Sequence, residues 1–215
     1  MAKKKFKPKR RKQAGIMGRS DIPLALRKKL EQEERINVNR ERSAKVVLYA
    51  YSIAMHELEG IGYRRLIRFA ETYRTLEDEF YEDVEVGMDH AKQRLGSMGM
   101  EISGKFLVAP DEGHTARQQE IRDNIMQAAQ IAQLVVAVAM NEEFGFGEDR
   151  QIRIRGRVEE LTAEYAKKGM KPLLDGMKEI GFHIIGDRAI HFTDEDGNIV
   201  TARRALKELE KNERV

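Results

Sequence analysis

The chain has no cysteine and no tryptophan, and only four prolines in 215 residues. Without thiols it can form neither disulfides nor thiolate zinc sites, and cysteine-nucleophile catalysis is excluded. Long apolar runs are missing too. The most apolar window, 125–140, is interrupted by Gln127, Gln130 and Gln133, which suits a helix buried in protein rather than a membrane span. The basic start MAKKKFKPKRRK leads into no apolar segment, so it does not read as a secretory signal. A cytoplasmic protein with no membrane partner is expected. The five histidines, His56, His90, His114, His183 and His191, stand singly. No metal set or catalytic triad assembles from them, so neither cofactor nor metal is expected.

What the chain has in quantity is charge, unevenly placed. Lys and Arg number 39 against 36 Asp and Glu, for a net charge of +3. Eight of those cations, Lys3, Lys4, Lys5, Lys7, Lys9, Arg10, Arg11 and Lys12, fall within the first twelve residues. The other 31 face all 36 acids, so the body carries about −5 behind a cationic tail. Such a tail points to a polyanion, because each cation that neutralises a phosphate releases a counterion. Phe6 adds one group able to stack on a base. A solvating tail or a membrane-surface patch would show the same composition.

The body repeats itself. Residues 54–80 align without a gap on residues 139–165, pairing Gly60 with Gly145, Gly62 with Gly147, Arg65 with Arg150 and Arg68 with Arg153. After a three-residue slip, Gly99, Ile102 and Gly104 match Gly181, Ile184 and Gly186. A fixed offset of this kind marks one supersecondary unit used twice. The chain accordingly divides into a disordered basic tail, 1–19, a helical unit, 20–108, a linker, 109–114, and a second helical unit, 115–215, ending in a β-hairpin and a helix.

The fold class that follows is mainly α, with two tandem three-helix units and small strand or hairpin elements. A helix is expected from an N-cap at Ser20 or Asp21 to Leu58, with Asn37, Val38 and Asn39 as a candidate break. The next runs over 63–81 behind an apolar seam of Phe69, Tyr73, Leu76 and Phe80, which the second unit repeats as Ile154, Val158, Leu161 and Tyr165. A third helix spans 86–98, followed by a short strand over 102–108. The second unit reads as helices over 115–143, then to 168, then 170–180, with a hairpin of 189–192 and 198–201 around Asp194–Gly197 and a terminal helix over 202–212.

Sequence chemistry beyond charge is thin. Gly99-x4-Gly104-Lys105 matches a phosphate loop superficially, but Phe106 stands where a magnesium-binding Ser or Thr belongs. His56-Glu57 lacks the second histidine of a zinc-protease helix, and Asp194–Asn198 lacks the distal glutamate of a calcium loop. The chain is therefore not expected to be an enzyme. The Gly-hydrophobe-Gly steps at Gly60–Gly62 and Gly145–Gly147 offer more, since such a step bares backbone N–H groups at a helix start where a phosphate can sit. The same glycines also serve a tight turn between helices, and Glu57, Glu59, Glu142 and Glu143 would repel phosphate there. By helical phase, Arg65 and Arg150 should be half-buried and paired with Glu57 and Glu142 across the turn. Arg64, Arg68 and Arg153 are placed to meet an external anion or to form a solvated face.

Two resemblances attach to these residues. LEGIGYRRLIRFAETYRTLEDEF is similar to helix-hairpin-helix motifs, which implies phosphate contact through the glycine step. AMNEEFGFGEDR, and more loosely AMHELEGIGYRRLIRF with TLEDEFYEDVEVGMDHAKQRL, resembles small α-helical proteins of phages and prophages of Gram-positive bacteria that carry an EFGFGxxR-type core. That resemblance covers about half the chain and implies a mobile-element setting in a bacterial host cell. The function expected is a non-enzymatic accessory or regulatory protein that binds DNA or RNA backbone mainly through its arm. The alternative is a protein-interaction adaptor or inhibitor of a host factor acting through the acidic body. A homo-oligomer is compatible with either.

Overall fold

The computed structural model describes residues 23–82, 84–97, 115–193 and 199–200. The basic tail, the strand expected over 102–108 with the phosphate-loop-like glycines beside it, the linker, the turn at 194–197 and the terminal helix over 202–212 lie outside the described residues. The protein is mainly helical. Among the described residues, six helices, α1 (Leu24–Glu59), α2 (Tyr63–Glu82), α3 (Val84–Ser97), α4 (Ala116–Phe144), α5 (Glu148–Lys168) and α6 (Lys171–Ile180), precede four short strands. β1 (His183–Ile185) pairs antiparallel with β2 (Arg188–Ile190), and β3 (Phe192–Thr193) with β4 (Ile199–Val200).

α1 is continuous, and the break offered by Asn37–Asn39 does not occur. Tertiary support overrides the weak local propensity. α4 runs alongside in the same direction, with Gln32 Nε2 donating to Glu120 at 2.9 Å and Arg40 Nη2 to Asn124 Oδ1 at 2.9 Å. α4 itself begins at a capping box, in which the Thr115 hydroxyl accepts from the Gln118 N–H and the Gln118 side chain accepts from the Thr115 N–H.

The helices pack reciprocally. α2 and α3 lie against α4, the long helix of the second unit, while α5 and α6 lie against α1, the long helix of the first. One core results, fed by both units. The seam residues Phe69, Tyr73, Leu76 and Phe80 are buried in it, as are Ile154, Val158 and Leu161, with Tyr165 half-buried at its edge. The hairpin of β1 and β2 closes one flank of α1, where the Tyr49 hydroxyl accepts from the Ala189 N–H at 2.8 Å and donates to the Asp187 carbonyl at 3.2 Å.

The hairpin is also where the sequence expectation needs correcting. The hairpin expected around Asp194–Gly197 is present as the pairing of β3 with β4, but its first arm does not reach back to 189. Ala189 and Ile190 belong to β2 and pair back to β1, whereas Phe192 belongs to β3. The Gly186–Asp187 loop, with Gly186 at φ 62°, turns the chain earlier than expected.

Candidate nucleic-acid interface

The tail cations Lys3 to Lys12 lie outside the described residues, so the interface is built from where the tail joins the body. Arg27, Lys28 and Lys29 continue its charge onto the first turns of α1, whose opening turn holds no acidic residue. Lys28 and Lys29 are exposed, and Lys29 reaches Glu33 only at 3.9 Å. Cations at a helix N-terminus oppose the helix dipole. α5 shows the opposite, favourable arrangement, with Glu148 and Asp149 in its first turn and Lys167 and Lys168 in its last.

The glycine steps stand at the other end of α1, which spans about 54 Å for its 36 residues. Gly60 and Gly145 cap α1 and α4 in the left-handed conformation, at φ 62° and 66°. Their N–H groups bond back to the His56 and Asn141 carbonyls, and those of Ile61 and Phe146 to the Met55 and Met140 carbonyls. A side chain completes each turn. His56 Nδ1 meets the Ile61 carbonyl at 2.9 Å, and Asn141 Nδ2 donates to the Phe146 carbonyl at 3.2 Å. A carbonyl only accepts, so Nδ1 of His56 bears the proton. Gly62 and Gly147 have no positive φ, and a Cβ at either would meet nothing within 4 Å.

The arginines are distributed differently from the sequence expectation. Arg68 Nε forms an ion pair with Glu143 at 3.1 Å, and Arg153 Nη2 donates to Glu59 at 2.9 Å, with Arg150 Nε at 4.0 Å from the other oxygen of Glu59. Glu57 pairs with Arg157 at 2.7 Å and Glu142 with Arg94 at 3.3 Å. Glu57, and after it Glu160, holds the Arg157 guanidinium above its ordinary pKa. Arg65 is exposed and lies over the Phe144 ring, 4.9 Å from its centroid, while Arg150 lies over Phe146 at 5.3 Å. The anticipated pairing of Arg65 with Glu57 and of Arg150 with Glu142 is thus replaced by partners from the opposite unit, because α2 lies on α4 and α5 on α1. Arg64 is exposed and has no ion pair among the described residues.

The structure therefore gathers Gly60, Gly62, Arg68, Gly145, Gly147 and Arg153 at one end and leaves the tail's point of attachment at the other. Sequence reasoning missed Glu59 as a shared acceptor for Arg150 and Arg153. The crowd of glutamates at the glycine steps was the available signal, since a carboxylate cluster next to arginines asks for partners as well as repelling phosphate. No family model, curated protein or solved structure matches the chain.

Proposed function

We propose that the protein is a non-enzymatic, nucleic-acid-associated accessory or regulatory factor of phage type, working in the cytoplasm of a bacterial host. Its arm binds DNA or RNA backbone, and its repeated helical halves form the body that the arm tethers. The observation that carries this reading is the separation of charge. Arg68, Arg94, Arg150, Arg153 and Arg157 are engaged by carboxylates of the body, whereas Lys28 and Lys29 extend the eight tail cations onto a helix start whose first turn holds no acidic residue.

The test is retention on duplex DNA and on RNA as a function of salt. If all eight tail cations neutralise phosphates, the slope of log affinity against log salt should approach about −7 on duplex DNA. Deleting residues 1–12 should remove most of that slope, and Arg68→Ala with Arg153→Ala should change affinity by less than about twofold, since cations already paired release few counterions. Full-length protein that ignores both polymers at low ionic strength would overturn the proposal.

A second reading, the adaptor, draws on Leu24, Leu26, Leu30 and Val38, large apolar side chains that α1 leaves exposed. Under it, protein lacking residues 1–12 still captures one defined protein partner, and a charge-reversed arm leaves that capture unchanged.

A further inference from the structure

A cavity of about 220 Å³ opens between α1, α2, the end of α6 and the β1–β2 hairpin. Leu66, Ile67, Met177 and Phe182 give it an apolar floor, and Arg74 and His191 stand exposed at its rim. Its walls are tied in place. Tyr49 holds the hairpin through two hydrogen bonds, and Tyr63 packs edge-on against Phe182 at 4.8 Å between ring centroids. A preformed apolar recess with a few polar groups is the usual form of a small-molecule site.

One buried polar group faces this recess. Ser52 lines it and is only 3% exposed, yet its hydroxyl makes no hydrogen bond among the described residues. Ser43 and Thr162, also buried on helices, each donate to a carbonyl one turn back, at 2.9 Å. The Ser52 oxygen is not among the buried atoms left without a partner, so it is open to the recess, where water or a ligand can supply the hydrogen bond.

The other half of the molecule makes a contrast. Eighty-five positions on, Ser52 is replaced by Ala137 and Leu66 by Gln151. The Gln151 amide donates to the Ala137 carbonyl at 3.0 Å and to the Phe146 carbonyl at 3.1 Å. There the Gln151 amide nitrogen ties the pair to the backbone, while its Oε1 is left buried without a partner among the described residues. The first half keeps an open apolar recess with the Ser52 hydroxyl in its wall.

We propose that this cavity is a binding site for a phenol-class molecule, one aromatic ring bearing a hydroxyl. A dry cavity of about 150 Å³ accepts benzene, so 220 Å³ leaves room for a substituent of a few atoms. The ring lies on Leu66, Ile67 and Phe182, and its hydroxyl exchanges a hydrogen bond with Ser52.

The experiment titrates the full chain with phenol and with toluene and follows backbone amide resonances. Both ligands should perturb the amides of Ile67, Met177 and Phe182 saturably, phenol with about tenfold higher affinity. Ser52→Ala should retain toluene and abolish the preference for phenol. Ala70→Phe, at a half-buried wall position, should abolish both. Absence of saturable shifts at these amides in the native chain, or a phenol preference that survives Ser52→Ala, would overturn the proposal. The result is independent of nucleic-acid binding, since the arm takes no part in it.

Discussion

Gly60 and Gly62 stand two positions apart under different constraints, and so do Gly145 and Gly147. The first of each pair adopts a left-handed φ, which an L side chain occupies at a cost of about 1 kcal/mol. The second has ordinary φ and open space where a Cβ would go. Gly145→Ala should therefore lower stability by about 1 kcal/mol, while Gly147→Ala should leave urea unfolding nearly unchanged. Equal losses from the two would contradict the assignment of the cap. Because Gly62→Ala and Gly147→Ala spare the fold, they are also the clean probes of backbone phosphate contact. At this scale the sequence was readable where a residue's role is local. The seam at 69, 73, 76 and 80 follows from helical period alone. The partners of Arg65 and Arg150 were not readable, because they depend on which helix lies opposite.

At the scale of elements, the boundaries of α4, α5 and α6 were legible because caps and glycines mark them: Thr115 at the start of one, Gly145 and Gly181 at the ends of others. The three-residue strands were misplaced since so short a run carries almost no periodicity, although Gly-Asp directly after the Ile184-Ile185 pair was a usable turn signal. Nothing local hinted at the closeness of α6 to α1. A Cβ on Gly176 would sit 2.8 Å from Ile53 Cδ1 and 3.1 Å from Cγ1. Glycine inside a helix costs about 1 kcal/mol relative to alanine, so its presence there fits the tight approach. Gly176→Ala should gain nothing in the native background, since the clash offsets the propensity. With Ile53→Val, which removes Cδ1, the same substitution should stabilise by about 1 kcal/mol. Additivity within about 0.3 kcal/mol in a double-mutant cycle would mean that the contact is not limiting.

For the molecule as a whole, the repeat in the sequence suggests two bodies, yet a repeat carries no information about which copy covers which. The apolar face of α2 is closed by α4, and that of α1 by α5 and α6. A chain cut within 109–114 would leave Phe69, Tyr73, Leu76 and Phe80 without the helix that buries them, and Val46, Val47 and Ile53 likewise on the other side. Burying a side chain of this size is worth about 1.5–3 kcal/mol, and a domain's net stability is only about 5–15 kcal/mol, so neither fragment should fold alone. Expressed separately, 1–111 and 112–215 should self-associate or aggregate. Mixed, they should form a one-to-one complex with the helicity of the intact chain and a melting temperature that rises with concentration. A monomeric fragment with its own cooperative melt would show that one half closes its core unaided. The arm sits on the first fragment only, so the complex should bind nucleic acid with the salt slope of the intact chain. A slope that changed on joining the halves would locate phosphate contacts in the body, at the end where Arg68 and Arg153 now face Glu143 and Glu59.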